Sequence, residues 1–265
     1  MDVRTYTEHE LQVIADDVGE RNGWDFTRMA TEREPVPWDY IDLVAKFLRP
    51  TDVVLDIGTG GGERLLSLSD NVGTAVGVDP DPDMIRVARD NAVGKSNVRF
   101  LQASAERLAS LDDGTFDVVL TRHAPVHVPE LDRVTKANGL FICQQVGAQN
   151  MANIRQAFNT GSEALYLDAQ QSMLNGLSAR GWHLIAEAQY NVRYWVKDVP
   201  SLVFWFKAIA GANEIPANFS IETHHNVVDA LIQQFGSHRG VATNEHRTLT
   251  IARKPDTSRG GRKAT

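Results

Sequence analysis

Three groups of residues in this chain have types and spacings that could do chemistry. The first is Asp56-Ile57-Gly58-Thr59-Gly60-Gly61-Gly62-Glu63, an acid followed by glycines in the pattern D-x-G-x-G-x-G. Glycine lets backbone approach a bulky ligand closely, and an acid at the head of such a turn suits a cation. The dinucleotide fingerprint G-x-G-x-x-G fits in neither frame, because its last position falls on Glu63 when counted from Gly58 and on Leu65 when counted from Gly60. Glu63 would also set negative charge where a diphosphate belongs. The loop therefore suits a cationic nucleoside. The second group begins at Asp79, 17 residues beyond Gly62 and followed by Pro80. An acid at this place can accept hydrogen bonds from ribose hydroxyls, and Gln102-Ala103-Ser104-Ala105-Glu106 falls where an adenine edge would then lie. The third group is Thr121-Arg122-His123-Ala124-Pro125 with His127. An imidazole with an ordinary pKa of about 6.5 can move a proton at neutral pH, and Arg122 can anchor an acidic group.

Elements of alternating type must position these groups. Thr7 and Glu10 form a capping-box pattern ahead of Leu11, Ile14 and Val18 at helical spacing, which predicts a helix over 8–20. A second helix is expected over 38–47. Strands are then expected at 52–57, 74–78, 98–101, 116–120 and 139–145, with helices at 64–68, 83–92 and 130–137 between them. Short apolar runs ending in glycine or acid, separated by helical patterns, read as a doubly wound parallel α/β sheet. Ligands of such sheets bind beyond the carboxyl ends of the strands, where all three groups stand. The last two strands are expected at 183–190 and 247–253. Residues 191–246 between them read as helices over 201–210 and 221–235, rich in aromatics.

At these residues the sequence resembles the class I S-adenosylmethionine-dependent methyltransferases, over about residues 36 to 147. Asp56 to Glu63 matches their motif I, Asp79 their ribose-binding acid and Ser104-Ala105-Glu106 their adenine segment. The resemblance implies a Rossmann-like, doubly wound, mostly parallel seven-stranded sheet. It implies S-adenosyl-L-methionine as cofactor, held by Asp56, Gly58, Thr59, Gly60, Asp79, Pro80, Ser104, Ala105, Glu106 and Arg122. The family commonly has Asp-Ala where this chain has Ser104-Ala105, so either Ser104 or Glu106 takes over the adenine contact. Methyl transfer is an in-line displacement that needs positioning, and a base only if the acceptor carries a proton. His123 is the expected base or orienting residue, His127 the nearby alternative, and Arg122 an anchor for an acidic substrate.

The same segment narrows the chemistry. Thr121 to Ala124 is not the N/D/S-P-P-aromatic motif of exocyclic-amine methylation, and Cys143 lies on another strand from the one a cytosine-carbon thiolate would occupy. The nearest acid, Asp117, belongs at the opposite end of the strand, so no metal is expected. Of Gln144 and Gln145 at most one can face a substrate, and Gln145 joins Trp38 and Trp205 in the expected substrate wall. The N-terminal stretch with Trp24, Phe26, Arg28 and Tyr40 is a further wall candidate.

Composition sets the outer limits. The 265 residues are 42% hydrophobic and 23% charged, the balance of a globular chain. They are expected to form a single domain: an N-terminal helical cap (1–47), a sheet core (48–190 and 247–253), a helical insertion or lid (191–246) and a disordered basic tail (254–265). The longest apolar run, Leu202 to Phe206, is far short of the ~20 residues of a membrane span. With no apolar stretch after Met1 and one cysteine, the cytoplasm is the expected location. The net charge of −7 is concentrated, since residues 253–265 carry +4 and the remainder −11. An acidic body disfavours nucleic acid and leaves a small, partly apolar molecule as the expected substrate. An RNA-modifying methyltransferase and a non-catalytic cofactor-binding protein of the same fold are the alternatives.

Overall fold

The computed structural model of the protein describes residues 3–21 and 24–256. In chain order its elements are α1 (Glu8–Val18), β1 (Thr31–Arg33), α2 (Tyr40–Ala45), β2 (Val53–Ile57), α3 (Glu63–Leu68), β3 (Thr74–Asp79), α4 (Pro82–Asn91), β4 (Val98–Gln102) and β5 (Phe116–Arg122). They continue with α5 (Val128–Val134), β6 (Thr135–Val146), α6 (Ala152–Phe158), α7 (Glu163–Ala179), β7 (His183–Val196), α8 (Val199–Ala208), α9 (Ile221–Phe235), β8 (Gly236–Ser237) and β9 (Gly240–Arg253). These residues divide into two compact units. The sheet unit comprises Trp38–Val146, Asp168–Gln189 and the chain from Thr248 on, and the helical unit comprises the chain up to Pro37 with Gly147–Leu167 and Tyr190–Arg247.

In the sheet unit the strand order is β7-β9-β6-β5-β2-β3-β4. The pairs β3–β4, β2–β3, β2–β5 and β5–β6 are parallel. The chain winds outward from β2 to β4 and then returns to β2's other side with β5. That reversal is a topological switch point, where a crevice opens beyond the strand ends. Register brings the ends into line, with Ile57 opposite both Val78 and Thr121. Alternate residues face opposite sides: Leu55 and Val76 pack with Phe116, Phe141 and Trp182 on one face, while Val54 and Ala75 pack with Tyr40, Leu65, Ile85 and Phe100 on the other. With both faces covered, these strands read as nearly continuous apolar runs.

The helical unit has a separate core of Leu11, Val18, Leu202, Val203, Phe204, Phe206 and Ile232, among others. Its α1 begins at the expected capping box: the Thr7 amide donates to the Glu10 carboxylate at 2.8 Å, and the Glu10 amide donates to the Thr7 hydroxyl at 3.3 Å. β1 pairs antiparallel with β7, Thr31 opposite Val196, and β8 pairs antiparallel with β9.

Several elements differ from expectation. Among the described residues the strands number nine, not the expected seven, because the short β1 pairs with β7 and the short β8 with β9. β1 is three polar residues, exposed at both ends, and offers no apolar alternation. β7 runs on to Val196 and β9 begins at Gly240, so the link between them spans 197–239. Polar residues such as Asn191, Arg193, Asn244 and Glu245 lie in these extensions and mask them. α6 and α7 have no counterpart among the expected elements. In α7 only Met173 and Leu177 are buried, which leaves almost no helical period to read. Residues 257–265, most of the expected tail 254–265, lie outside the described residues.

Candidate cofactor site

The glycine turn leaves β2 and enters α3. Gly58 has φ +76°, and a Cβ there would stand 2.2 Å from the Ala124 Cβ. Gly62 has φ +78°, and a Cβ there would stand 2.5 Å from the Phe100 ring. Both positions therefore require glycine for conformation and for space. The turn is fastened on several sides. The amides of Gly58 and Thr59 both donate to the Val78 carbonyl, at 2.8 and 3.0 Å. The Asn91 side chain donates to the Gly61 carbonyl at 2.9 Å.

Two buried acids flank this turn, Asp56 on β2 and Asp79 at the end of β3, each 9% exposed. Asp79 is engaged by backbone: Oδ2 accepts the Gly60 amide at 2.9 Å and Oδ1 accepts the Asp81 amide at 3.0 Å. Each oxygen keeps a lone pair for a further donor. Asp56 makes no salt bridge among the described residues, and burial pushes its carboxyl up from 3.8 to about 6 although the charges of Arg64 and Arg122 pull the other way. A buried carboxylate in that condition is stabilised by a cation. Tyr40 completes the cluster. Its ring is buried, its hydroxyl lies 3.4 Å from the Thr121 carbonyl, and burial first, then the charge of Asp56, raises its pKa well above the ordinary value. Tyr40 and Arg64 were not in the expected cofactor set, and neither lies in a motif.

Pro80 follows Asp79 at the head of α4, and its carbonyl accepts the Gln102 side chain at 3.1 Å. Beyond β4, Ala105 is buried while Glu106 is exposed. Hydrogen bonds from its own amide and from the Ser104 hydroxyl hold the Glu106 carboxyl below its ordinary range. The segment that follows is clamped by α5. Arg133 holds Glu130 through Nε and Nη2, both at 2.8 Å, and donates to the Leu111 and Leu108 carbonyls at 2.8 and 2.9 Å. Glu130 in turn accepts the Leu108 amide at 2.8 Å.

The end of β5 carries the expected catalytic group. His123 is exposed and has φ +59°, a left-handed conformation uncommon for a residue with a side chain, and its amide donates to the Gln144 carbonyl at 3.0 Å. Such a conformation costs about 1–3 kcal/mol and tends to persist at functional sites. His127 is the N-cap residue of α5 without a side-chain cap bond, and its Nδ1 is buried without a hydrogen-bond partner. The two glutamines are committed to the protein: the Trp38 indole donates to Gln144 Oε1 at 2.9 Å, and Gln145 donates to the Ala124 carbonyl at 2.7 Å. Trp205 belongs to the helical unit, with its ring 5.7 Å from Tyr194 and 6.1 Å from Phe206. Cys143 is buried and its thiol is pushed up to about 12. Among the described residues no group of three His, Cys, Asp or Glu side chains is placed to hold a metal ion, and no helix is long and apolar enough to cross a membrane.

Residues 55–143 match the family model described as a methyltransferase domain. Over 98 residues the chain is 41% identical to YcgJ of Bacillus subtilis, described as an uncharacterized methyltransferase. That alignment covers 34% of this chain and only 38% of the relative's own length. Over 225 residues it is 25% identical to a malonyl-[acyl-carrier protein] O-methyltransferase of Marinomonas sp., covering 79% of this chain and 82% of that one. The solved structure of the Bacillus subtilis YcgJ protein has a similar fold, with a TM-score of 0.55 at 24% identity over 81% of this chain and 97% of that one.

Proposed function

We propose that the chain works as a class I S-adenosylmethionine-dependent methyltransferase and transfers the cofactor's methyl group to O, N or carbon of a small, partly apolar molecule without a metal. The observation that carries this reading is the pair of buried acids, Asp56 and Asp79, on adjacent parallel strands around a glycine turn. Bound S-adenosylmethionine supplies an electrophilic methyl group on a sulfonium. Asp56 offers its carboxylate to the cationic end of the cofactor, which would relieve the burial that raises its pKa. Asp79 keeps lone pairs for ribose hydroxyls while it braces Gly60. Gly58, Thr59 and Gly60 form the wall the cofactor lies against, Pro80 follows the ribose acid, and Ser104, Ala105 and Glu106 take the adenine edge.

His123, on its strained backbone, is the residue assigned to take a proton from the acceptor atom or to orient it, with His127 as the alternative. Arg122 serves Asp56 and the cofactor end of the site. Trp38, held by Gln144, is assigned to the substrate wall with Gln145. The Marinomonas relative, alike over most of the chain, supports the reaction class. Calorimetry tests the reading: Asp79→Ala is expected to abolish cofactor binding, and wild-type affinity in that variant would sink the site. His123→Ala is expected to keep cofactor affinity and lose turnover, read as adenosylhomocysteine formed with a panel of small acceptors.

A further inference from the structure

The helical unit holds a buried cation that its own fold leaves partly unsatisfied. Arg155 of α6 is 5% exposed. One nitrogen, Nη2, donates to the Ala148 carbonyl at 2.5 Å and stands 4.0 Å from the carboxylate of Glu163, itself largely exposed. The guanidinium lies 5.5 Å from the centre of the Tyr166 ring. Its Nε and Nη1 are buried and have no hydrogen-bond partner. The buried acid beside it, Glu214, is already engaged: the Tyr166 hydroxyl donates to its Oε1 at 2.7 Å and the Asn150 amide at 3.2 Å. Burial of Tyr166, and then the charge of Glu214, raise the tyrosine's pKa, so it stays a donor committed to that acid.

A buried guanidinium whose N–H groups go unmet is costly, and the backbone around it is also strained. α6 is flanked by two non-glycine residues in the left-handed region, Met151 at φ +50° and Asn159 at φ +52°. Gly161, at φ +66°, leaves the room Arg155 occupies, since a Cβ there would stand 2.8 Å from the Arg155 Cδ. Strain of this kind persists where the surroundings impose it, and it clusters at ligand clamps. We propose that Arg155 is the receptor for a carboxylate on a small ligand of this protein, the two unmet nitrogens donating to its oxygens. Two donors suit a monoanion, and the nearby charge of Glu214 opposes a dianionic phosphate. The neighbouring Phe158, packed edge-on to Phe206 and Phe219, suits an apolar tail. The inference rests on the proposed small-molecule acceptor for its biological meaning and on Arg155 alone for its geometry.

The test titrates the full chain with hexanoate, hexanamide and hexyl phosphate by calorimetry, and with adenosylhomocysteine in parallel. Saturable hexanoate binding, absence of hexanamide binding, and a loss of about tenfold or more in Arg155→Met with adenosylhomocysteine affinity unchanged are the expected results. No hexanoate binding to the wild type, or equal binding to Arg155→Met, overturns the proposal. Tighter binding of hexyl phosphate than of hexanoate overturns the carboxylate assignment. Arg155→Met is expected to melt no lower than the wild type, since it removes an unmet cation, and a clear fall in melting temperature would make Arg155 structural. If that variant does not fold, Arg155→Lys decides by the same titration, with weakened hexanoate binding expected and unchanged binding overturning the proposal. Failure of adenosylhomocysteine to bind the wild type counts against the methyltransferase reading, and the hexanoate arm is judged separately.

Discussion

The two units are assembled differently. Each draws on three stretches of chain, but the sheet unit takes most of its residues from one of them, Trp38–Val146, whereas no single stretch dominates the helical unit. In the sheet unit a strand, its turn and the next helix are neighbours in sequence, so the acid and glycines of the candidate cofactor site fall in one short motif. In the helical unit the partners that matter are far apart: Thr160 donates to the Glu214 carbonyl and Asn150 meets Arg247, with nothing local to announce either contact. A turn built from neighbouring residues leaves a local signature, while contacts between distant segments are built by packing. The contrast predicts where substitutions hurt stability and where they hurt binding.

The largest expected effect is in the helical unit's core. Phe206 is fully buried, with ring centroids 5.3 Å from Phe158 and 5.7 Å from Phe219. Phe206→Ala is expected to cost about 3–5 kcal/mol in urea unfolding, with hydrogen exchange rising first in the helical unit. Uniform exchange through both units would erase the contrast.

Asp56 should behave in the reverse manner. The folded carboxyl keeps its proton to about pH 6, against 3.8 for the ordinary group. The folded state therefore binds more protons between those values, and stability falls as pH rises through them. Asp56→Asn is expected to gain on the order of 1–3 kcal/mol of stability at pH 7.5, a gain gone below about pH 4, while cofactor affinity falls. A variant less stable at pH 7.5 would show that Asp56 is structural.

Arg133→Met comes next, at about 1–3 kcal/mol for the lost charged hydrogen bonds. Glu130, held down to about 2 from 4.5 chiefly by Arg133, contributes stability that is complete above the ordinary value and lost as pH falls towards 2. Without Arg133 the acid unfolding limb should move to higher pH, and an unmoved limb would deny the pair its role. The smallest effect is at a helical-unit feature with a local signature, the capping box. Thr7→Ala is expected to cost about 1 kcal/mol, read as a small drop in urea midpoint with cofactor affinity unchanged.

Much of the sheet unit was legible because burial on both faces leaves apolar runs punctuated by glycine and acid, as at Val53–Ile57 and Thr74–Asp79. Asp56, the glycine turn and Asp79 were legible for the same reason. Tyr40 was not tied to the cofactor turn, since its place beside Asp56 depends on how α2 packs. Neither the strain at His123 nor the orphaned nitrogens of Arg155 has any mark in sequence. Both are properties of a backbone and a burial that exist only after folding. β1 and α7 escaped because mostly exposed residues carry no period, and α6 because a helix of 7 residues is too short to show one.

By itself the sequence determined the strand–helix alternation, the glycine turn and its two acids, because each follows from residues adjacent along the chain. Only the tertiary structure decided that Gln144 holds Trp38 while Gln145 holds Ala124, that Asp56 is buried enough to lift its pKa, and that Arg155 lies buried with donors unmet. Those depend on which distant segments meet, and on how far they exclude water from a charge.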